Sequence, residues 1–78
     1  MKITLESTSK IVTLTTGTGD VQARIWEGRT ESGIEVHAFI TRVAVNRNED
    51  CSQFETELKE CRTPLNPDIQ AYPARIIL

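Results

Sequence analysis

Val21-Gln-Ala-Arg-Ile-Trp-Glu-Gly-Arg-Thr30, Glu31-Ser-Gly33 and Ile34-Glu-Val-His-Ala-Phe-Ile-Thr-Arg-Val-Ala-Val45 form the run whose reading decides the fold. Its two long flanks are rich in β-branched and aromatic residues and read as paired strands. Glu31-Ser32-Gly33 fits a hairpin loop with Gly33 in the left-handed position. In that register Thr30 faces Ile34, and one face carries Val21, Ala23, Ile25, Phe39, Val43 and Val45. The other carries Gln22, Arg24, Trp26, Val36, Ala38, Ile40 and Arg42. If Ser32-Gly33 alone make the turn, the register slips by one and Trp26 meets Phe39. Val21, Ala23, Ile25, Val36, Ala38 and Ile40 then share the opposite face. Either register leaves Trp26 on an apolar second face beside Arg24.

Working outward, Lys2–Leu5 and Lys10–Thr16 read as strand, joined by Glu6-Ser-Thr-Ser9 as a turn or as a bulged continuation. Gly17-Thr-Gly-Asp20 is a turn, because glycine takes positive φ without steric cost. Ile34 to Arg47 is the longest expected strand. Beyond it the period changes. Asp50 with Gln53 resembles a capping box, and Cys51, Phe54, Leu58 and Cys61 follow the spacing of one helix face. A helix is predicted from Cys51 to Arg62, ended before Pro64. Pro64–Gln70 reads as a loop holding one helical turn begun by Pro67, and Ala74–Leu78 as a terminal strand. The expectation is a single α+β domain over residues 1–78, an antiparallel ββββαβ sheet with one amphipathic helix packed on one face.

Composition narrows the classes. A chain of 78 residues buries only about 60% of its unfolded surface, so it gains from stapling, a metal or self-association. With 38% hydrophobic and 26% charged residues it is not a disordered sequence. A net charge of −2 gives no reason to expect nucleic acid or an anionic membrane as partner. No apolar run approaches the ~20 residues of a spanning helix, and no signal-peptide h-region follows Met1, so a soluble cytosolic protein is expected. Cys51 and Cys61 lie about 15 Å apart on the predicted helix, beyond the ~7 Å reach of a disulfide. They read as free thiols on a buried stripe, which suits a reducing compartment.

The chemistry is sparse. His37, the single histidine, reads as a cross-strand residue near Glu27 or Gly28 according to register. No serine or cysteine sits in a nucleophile context, and Glu27 with Glu35 reads as a solvated surface pair rather than a catalytic one. Gly17-Thr-Gly19 is too short to cradle phosphate and precedes a strand. No catalytic, metal or cofactor set is expected. Glu49, Glu55, Glu57 and Glu60 give the helix a locally acidic face, a solvated surface or a dock for a basic partner. Arg24, Arg29, Arg42 and Arg47 concentrate on the hairpin, where guanidinium groups suit an anionic small ligand at an oligomer seam.

One helix covers only one face of such a sheet. The second face is covered by the chain's own ends, by a second copy in a homo-oligomer, or by a foreign partner. Its candidate interface residues are Trp26, Arg24, Val36, Ala38, Phe39, Ile40 and Arg42, since Trp and Arg anchor binding hot spots.

Leu5-Glu-Ser-Thr8, Ile11-Val12, Ala23-Arg-Ile-Trp-Glu-Gly28 and Val36-His-Ala-Phe-Ile-Thr-Arg-Val43 resemble small bacteriophage-encoded proteins of uncharacterised function, over roughly residues 3–47. The resemblance implies a phage product acting in the cytoplasm of a bacterial host. Small phage proteins of this kind include inhibitors of host defence that bind a host protein complex or sequester a signalling ligand. The alternative is a small structural or assembly component of the phage particle.

Overall fold

The computed structural model describes residues 1–77. Its elements run β1 (Ile3–Thr16), β2 (Gly19–Thr30), β3 (Glu35–Ile40), α1 (Cys51–Leu58), α2 (Pro67–Gln70) and β4 (Arg75–Ile77). The strands form one sheet in the order β3-β2-β1-β4. The first three pair antiparallel, whereas β4 runs parallel to β1, with Leu14 opposite Ile76. The α+β class therefore stands, but the sheet is mixed rather than wholly antiparallel and the expected ββββαβ order is replaced by βββααβ.

The reason lies in β1. Ser7 pairs with Trp26 and Ile11 with Arg24, so Thr8, Ser9 and Lys10 stand opposite Ile25 alone. A bulge of this kind bends a strand and raises its twist without ending it. Of the two readings of Glu6–Ser9, the bulged continuation is the one observed. Thr8 is fully buried at the bulge, and its hydroxyl donates to the Ile25 carbonyl at 2.6 Å. β3 leaves β2 at the same level, after the Arg24–Ile40 pair. The expected long strand to Arg47 therefore stops at Ile40, and Val43 is exposed instead of joining the core.

The hairpin adopts the three-residue loop: Ile25 faces Phe39 and Trp26 faces Ala38. Gly33 takes a φ of 89°, and Gly19, which opens β2 after the first turn, a φ of 136°. Both are values that favour glycine.

The core consists of Val12, Leu14, Ala23, Ile25 and Ile69, with Tyr72 and Ile76 packed against it. Its cover is the segment from Arg62 to Ile77 rather than α1. This segment docks on the β1 edge at the bulge, where the Ser9 amide donates to the Arg62 carbonyl at 2.8 Å. It crosses the sheet face, placing Ile69 of α2 in the core, and returns to β1 where the Thr13 amide donates to the Ala74 carbonyl. Asn66 caps α2 through the Asp68 amide, and Pro67 occupies the first turn, as the sequence predicts.

The helix expected to pack on the sheet does not do so. Asp50 caps α1 by accepting from the Ser52 and Gln53 amides, yet α1 buries no residue. It stops at Leu58, because Glu60 and Arg62 are captured by the bulge: Ser7 Oγ donates to the Glu60 carbonyl at 2.7 Å. Cys51 and Cys61, expected on a buried stripe, are both exposed free thiols. The terminal strand is observed over Arg75–Ile77; Leu78, which the sequence reading included, lies outside the described residues. Among the described residues no helix is long and apolar enough to cross a membrane.

Candidate binding site

Alternation along β2 sends neighbouring residues to opposite faces, and each face carries a concave site. On the core face, Glu27 follows Ala23 and Ile25 in phase and is 9% exposed. Its burial corrects the expectation of a solvated Glu27–Glu35 pair. The Leu65 amide donates to Oε1 at 2.9 Å, the Asn66 amide donates to Oε2 at 2.8 Å, and Arg62 closes an ion pair with the same carboxylate. Arg62 also reaches Glu6 at 2.9 Å. Glu35 stays exposed and pairs with Arg29.

Burial by itself would raise the Glu27 pKa. The Leu65 amide, the Arg62 hydrogen bond, the Asn66 amide and the Arg62 charge together outweigh it, so the carboxyl titrates below its usual value of 4.5. A group with a depressed folded-state pKa stabilises the fold above its unfolded pKa and loses that contribution as pH falls through the folded value. The urea midpoint should therefore hold at neutral pH and fall below about pH 4.5. In Glu27→Gln that acid decline should be shallower; an identical decline in both proteins would remove Glu27 from the explanation.

His37 stands directly across from Glu27. Asn66 Oδ1 accepts from the Asp68 amide at 2.9 Å, which turns Nδ2 toward His37 Nε2 at 3.1 Å. Nε2 must then be the acceptor, so the proton sits on Nδ1 and is donated to the Tyr72 hydroxyl at 3.2 Å. Tyr72 packs edge-on against both His37 and Phe39. Glu27, His37, Arg62 and Asn66 border a cleft of about 600 Å³ that also takes in Glu6, Arg29, Glu35 and Asp68. Both arginines in it, Arg29 and Arg62, already face carboxylates.

The opposite face carries the predicted interface. The register aligns Arg24 with Ile40, Trp26 with Ala38 and Gly28 with Val36, so five of the seven candidates share this face. Phe39 does not. It lies on the core face beside Tyr72, because its cross-strand partner is Ile25 and not Trp26. Arg42 lies beyond β3 but reaches the same groove.

That groove encloses about 440 Å³. Its walls include Ile11 of β1, Trp26 and Ile40, with Val43 after β3 and Leu58 of α1. Trp26 is half-buried, while Ile11, Val43 and Leu58 are exposed. Sequence reasoning missed Ile11 and Leu58 because both depend on contacts outside the hairpin. Arg24 is held in place by donating Nη1 to the Thr8 carbonyl at 2.7 Å, a contact that exists only because of the bulge. The proposed acidic dock of Glu49, Glu55, Glu57 and Glu60 is exposed throughout, on and beside α1.

No known protein family, curated protein or solved structure matches this chain.

Proposed function

We propose that this chain is a non-catalytic, phage-encoded binding protein that acts in the host cytoplasm by occupying a target. In this reading it inhibits host defence by binding a protein complex or sequestering a signalling ligand, and it assembles with copies of itself. The observation that carries the reading is the Trp26 groove. It is an apolar, half-covered surface bordered by two arginines in a chain too small to leave such area idle. The only histidine supports a non-catalytic role, since both its ring nitrogens are engaged by Tyr72 and Asn66. Glu27 is likewise occupied by three donors rather than presented to a substrate.

Self-association is tested by light scattering at micromolar concentration. The expected mass is a multiple of 8.8 kDa, and Trp26→Ala should weaken assembly by about 2 kcal/mol or more. A clean monomer at every concentration would sink the assembly half of the proposal. The second reading, a component of the virion, is favoured by the open sheet edges: β3 and the three-residue β4, whose Ile77 is exposed, are the outermost strands. Mass spectrometry of purified particles separates the two, because a stoichiometric inhibitor is absent from them.

A further inference from the structure

Resting on the reading of the Trp26 face as a binding surface, we propose that its groove takes a small organic anion with a flat aromatic body, of the nucleotide type. Three features of the groove point to this ligand class.

The first is charge. Arg24 and Arg42 both line the groove, and no aspartate or glutamate does. Among the described residues neither arginine has a carboxylate partner, whereas Arg29, Arg62 and Arg75 all do. Two guanidinium groups facing one concavity without a counter-charge repel each other, and an anion between them relieves this. The other cleft has the opposite character. Glu6, Glu27, Glu35 and Asp68 line it, and its cations are engaged.

The second is preorganisation. The Arg24 guanidinium is anchored by its single bond to the Thr8 carbonyl, which leaves Nε and Nη2 without a partner among the described contacts. A half-buried guanidinium fixed at one end loses little freedom when its remaining donors engage an oxyanion.

The third is shape and lining. The volume of about 440 Å³ lies inside the range of roughly 300–1,000 Å³ typical of small-molecule sites. Trp26 offers the flat surface on which an aromatic ring stacks, and Ile11, Ile40, Val43 and Leu58 supply apolar walls. A bare inorganic anion would leave those walls wet, and a neutral aromatic would leave the arginines uncompensated. The class that uses both is an anion joined to a flat ring.

Trp26 is the only tryptophan, so its fluorescence reports on this groove alone. The experiment titrates the full chain with AMP, with adenosine and with inorganic phosphate, following Trp26 emission and confirming by calorimetry. AMP is expected to bind at least tenfold more tightly than either fragment. Arg42→Ala is the informative variant, because Arg42 is exposed and makes no hydrogen bond among the described residues, so its removal should leave the urea midpoint in place. It should weaken AMP by about tenfold, the value of one charge-assisted contact, and leave adenosine unchanged. AMP binding no better than adenosine or phosphate, or AMP binding indifferent to Arg42→Ala, overturns the proposal. Loss of assembly in Trp26→Ala with no AMP binding to the parent chain would defeat the ligand class and keep the broader reading. AMP binding to a strict monomer would keep the ligand class and defeat only the assembly half of that reading.

Discussion

Glu27→Ala is expected to cost about 3 kcal/mol of folding stability, the loss that follows when a buried carboxylate leaves its donors unpaired. Among the described residues the carboxylate is the only side chain that satisfies the Leu65 and Asn66 amides, and it also holds Arg62 against the sheet. Without it two backbone donors at the mouth of the crossing segment face a hydrocarbon stub. Leu65 is exposed and both amides border the cleft, so water competes for them there and lets Leu65 and Asn66 lift away from β2. That movement also loosens Asn66, which caps α2 and bonds His37, and α2 carries Ile69 into the core. A domain of 78 residues has about 4–12 kcal/mol in total, so the variant should stand near its unfolding threshold at 37 °C. Urea denaturation at pH 7 measures the loss. Glu27→Gln, which keeps one acceptor oxygen and the shape, should fall between. Arg62→Ala should cost less than Glu27→Ala, because the Leu65 and Asn66 amides still donate to the Glu27 carboxylate when Arg62 is gone. A Glu27→Ala midpoint within error of the parent would show that the crossing segment is held by its apolar contacts alone.

What could be read from residue order divides along the range of the interactions involved. The Asp50 cap and the Pro67 turn are local devices, each set by a residue's own backbone preferences or by a partner a few positions away, and both are legible; the turn at Gly33 is legible too, but its register is open between two loop lengths. The bulge was legible only as one of two options, because Glu6–Ser9 has no glycine or proline to mark a turn and no signal to mark a continuation. The cover of the core was not legible. Helical periodicity nominated Cys51, Phe54, Leu58 and Cys61, yet the residue that enters the core is Ile69, in a four-residue helix too short to show any period. Glu27 carries a signal in the sequence. It shares the phase of Ala23 and Ile25 on β2, so the register that buries those two places a carboxylate on the core face. A charge there requires donors, and Arg62 is one that sequence can nominate. The Leu65 and Asn66 amides are not, since every residue but proline offers the same N–H. On the second face the alternation was sufficient for Arg24, Trp26, Val36, Ala38 and Ile40. Phe39 belongs to that face only in the slipped register, which the structure does not adopt.

The Glu27 contacts and the Trp26 groove are linked through the geometry of β2. Glu27 draws the Arg62–Ile77 segment onto one face, and because side chains alternate, Trp26 beside it points to the other. The chain spends its only long crossing segment on the core face. Its one longer helix, α1, contributes Leu58 to the groove rim and buries nothing. The second face is therefore left half-covered by the route of the chain.

Gly28→Ala is the second large effect, and it acts on the strand pairing itself. Gly28 lies in the central strand β2, opposite Leu5 of β1 and Val36 of β3. A Cβ built there overlaps the Thr4 carbonyl oxygen and meets the Thr4 carbonyl carbon at 2.8 Å and Leu5 Cδ2 at 2.7 Å. Leu5 can change rotamer, but the Thr4 backbone moves only if β1 moves. Gly28 does not have a positive φ, unlike Gly19 and Gly33, so the obstacle is space rather than backbone strain. The expected loss is about 3 kcal/mol, at the upper end of overpacking costs because a backbone atom must yield. Hydrogen exchange should locate it: the amides of residues 3–7 should lose protection, while residues 12–16, which pair with β2 beyond the bulge and with β4, should keep theirs. The bulge is what allows the two halves of β1 to respond separately, since Thr8 stays anchored to the Ile25 carbonyl and to Arg62. Gly17→Ala is the matched control. Nothing lies within 4 Å of a Cβ at that position and its φ is not positive, so it should be neutral or slightly stabilising, by about 0.4–1 kcal/mol. If Gly28→Ala were equally harmless, or if protection fell evenly along β1, the close approach of β1 to Gly28 would not be what sets the pairing of the two longest strands.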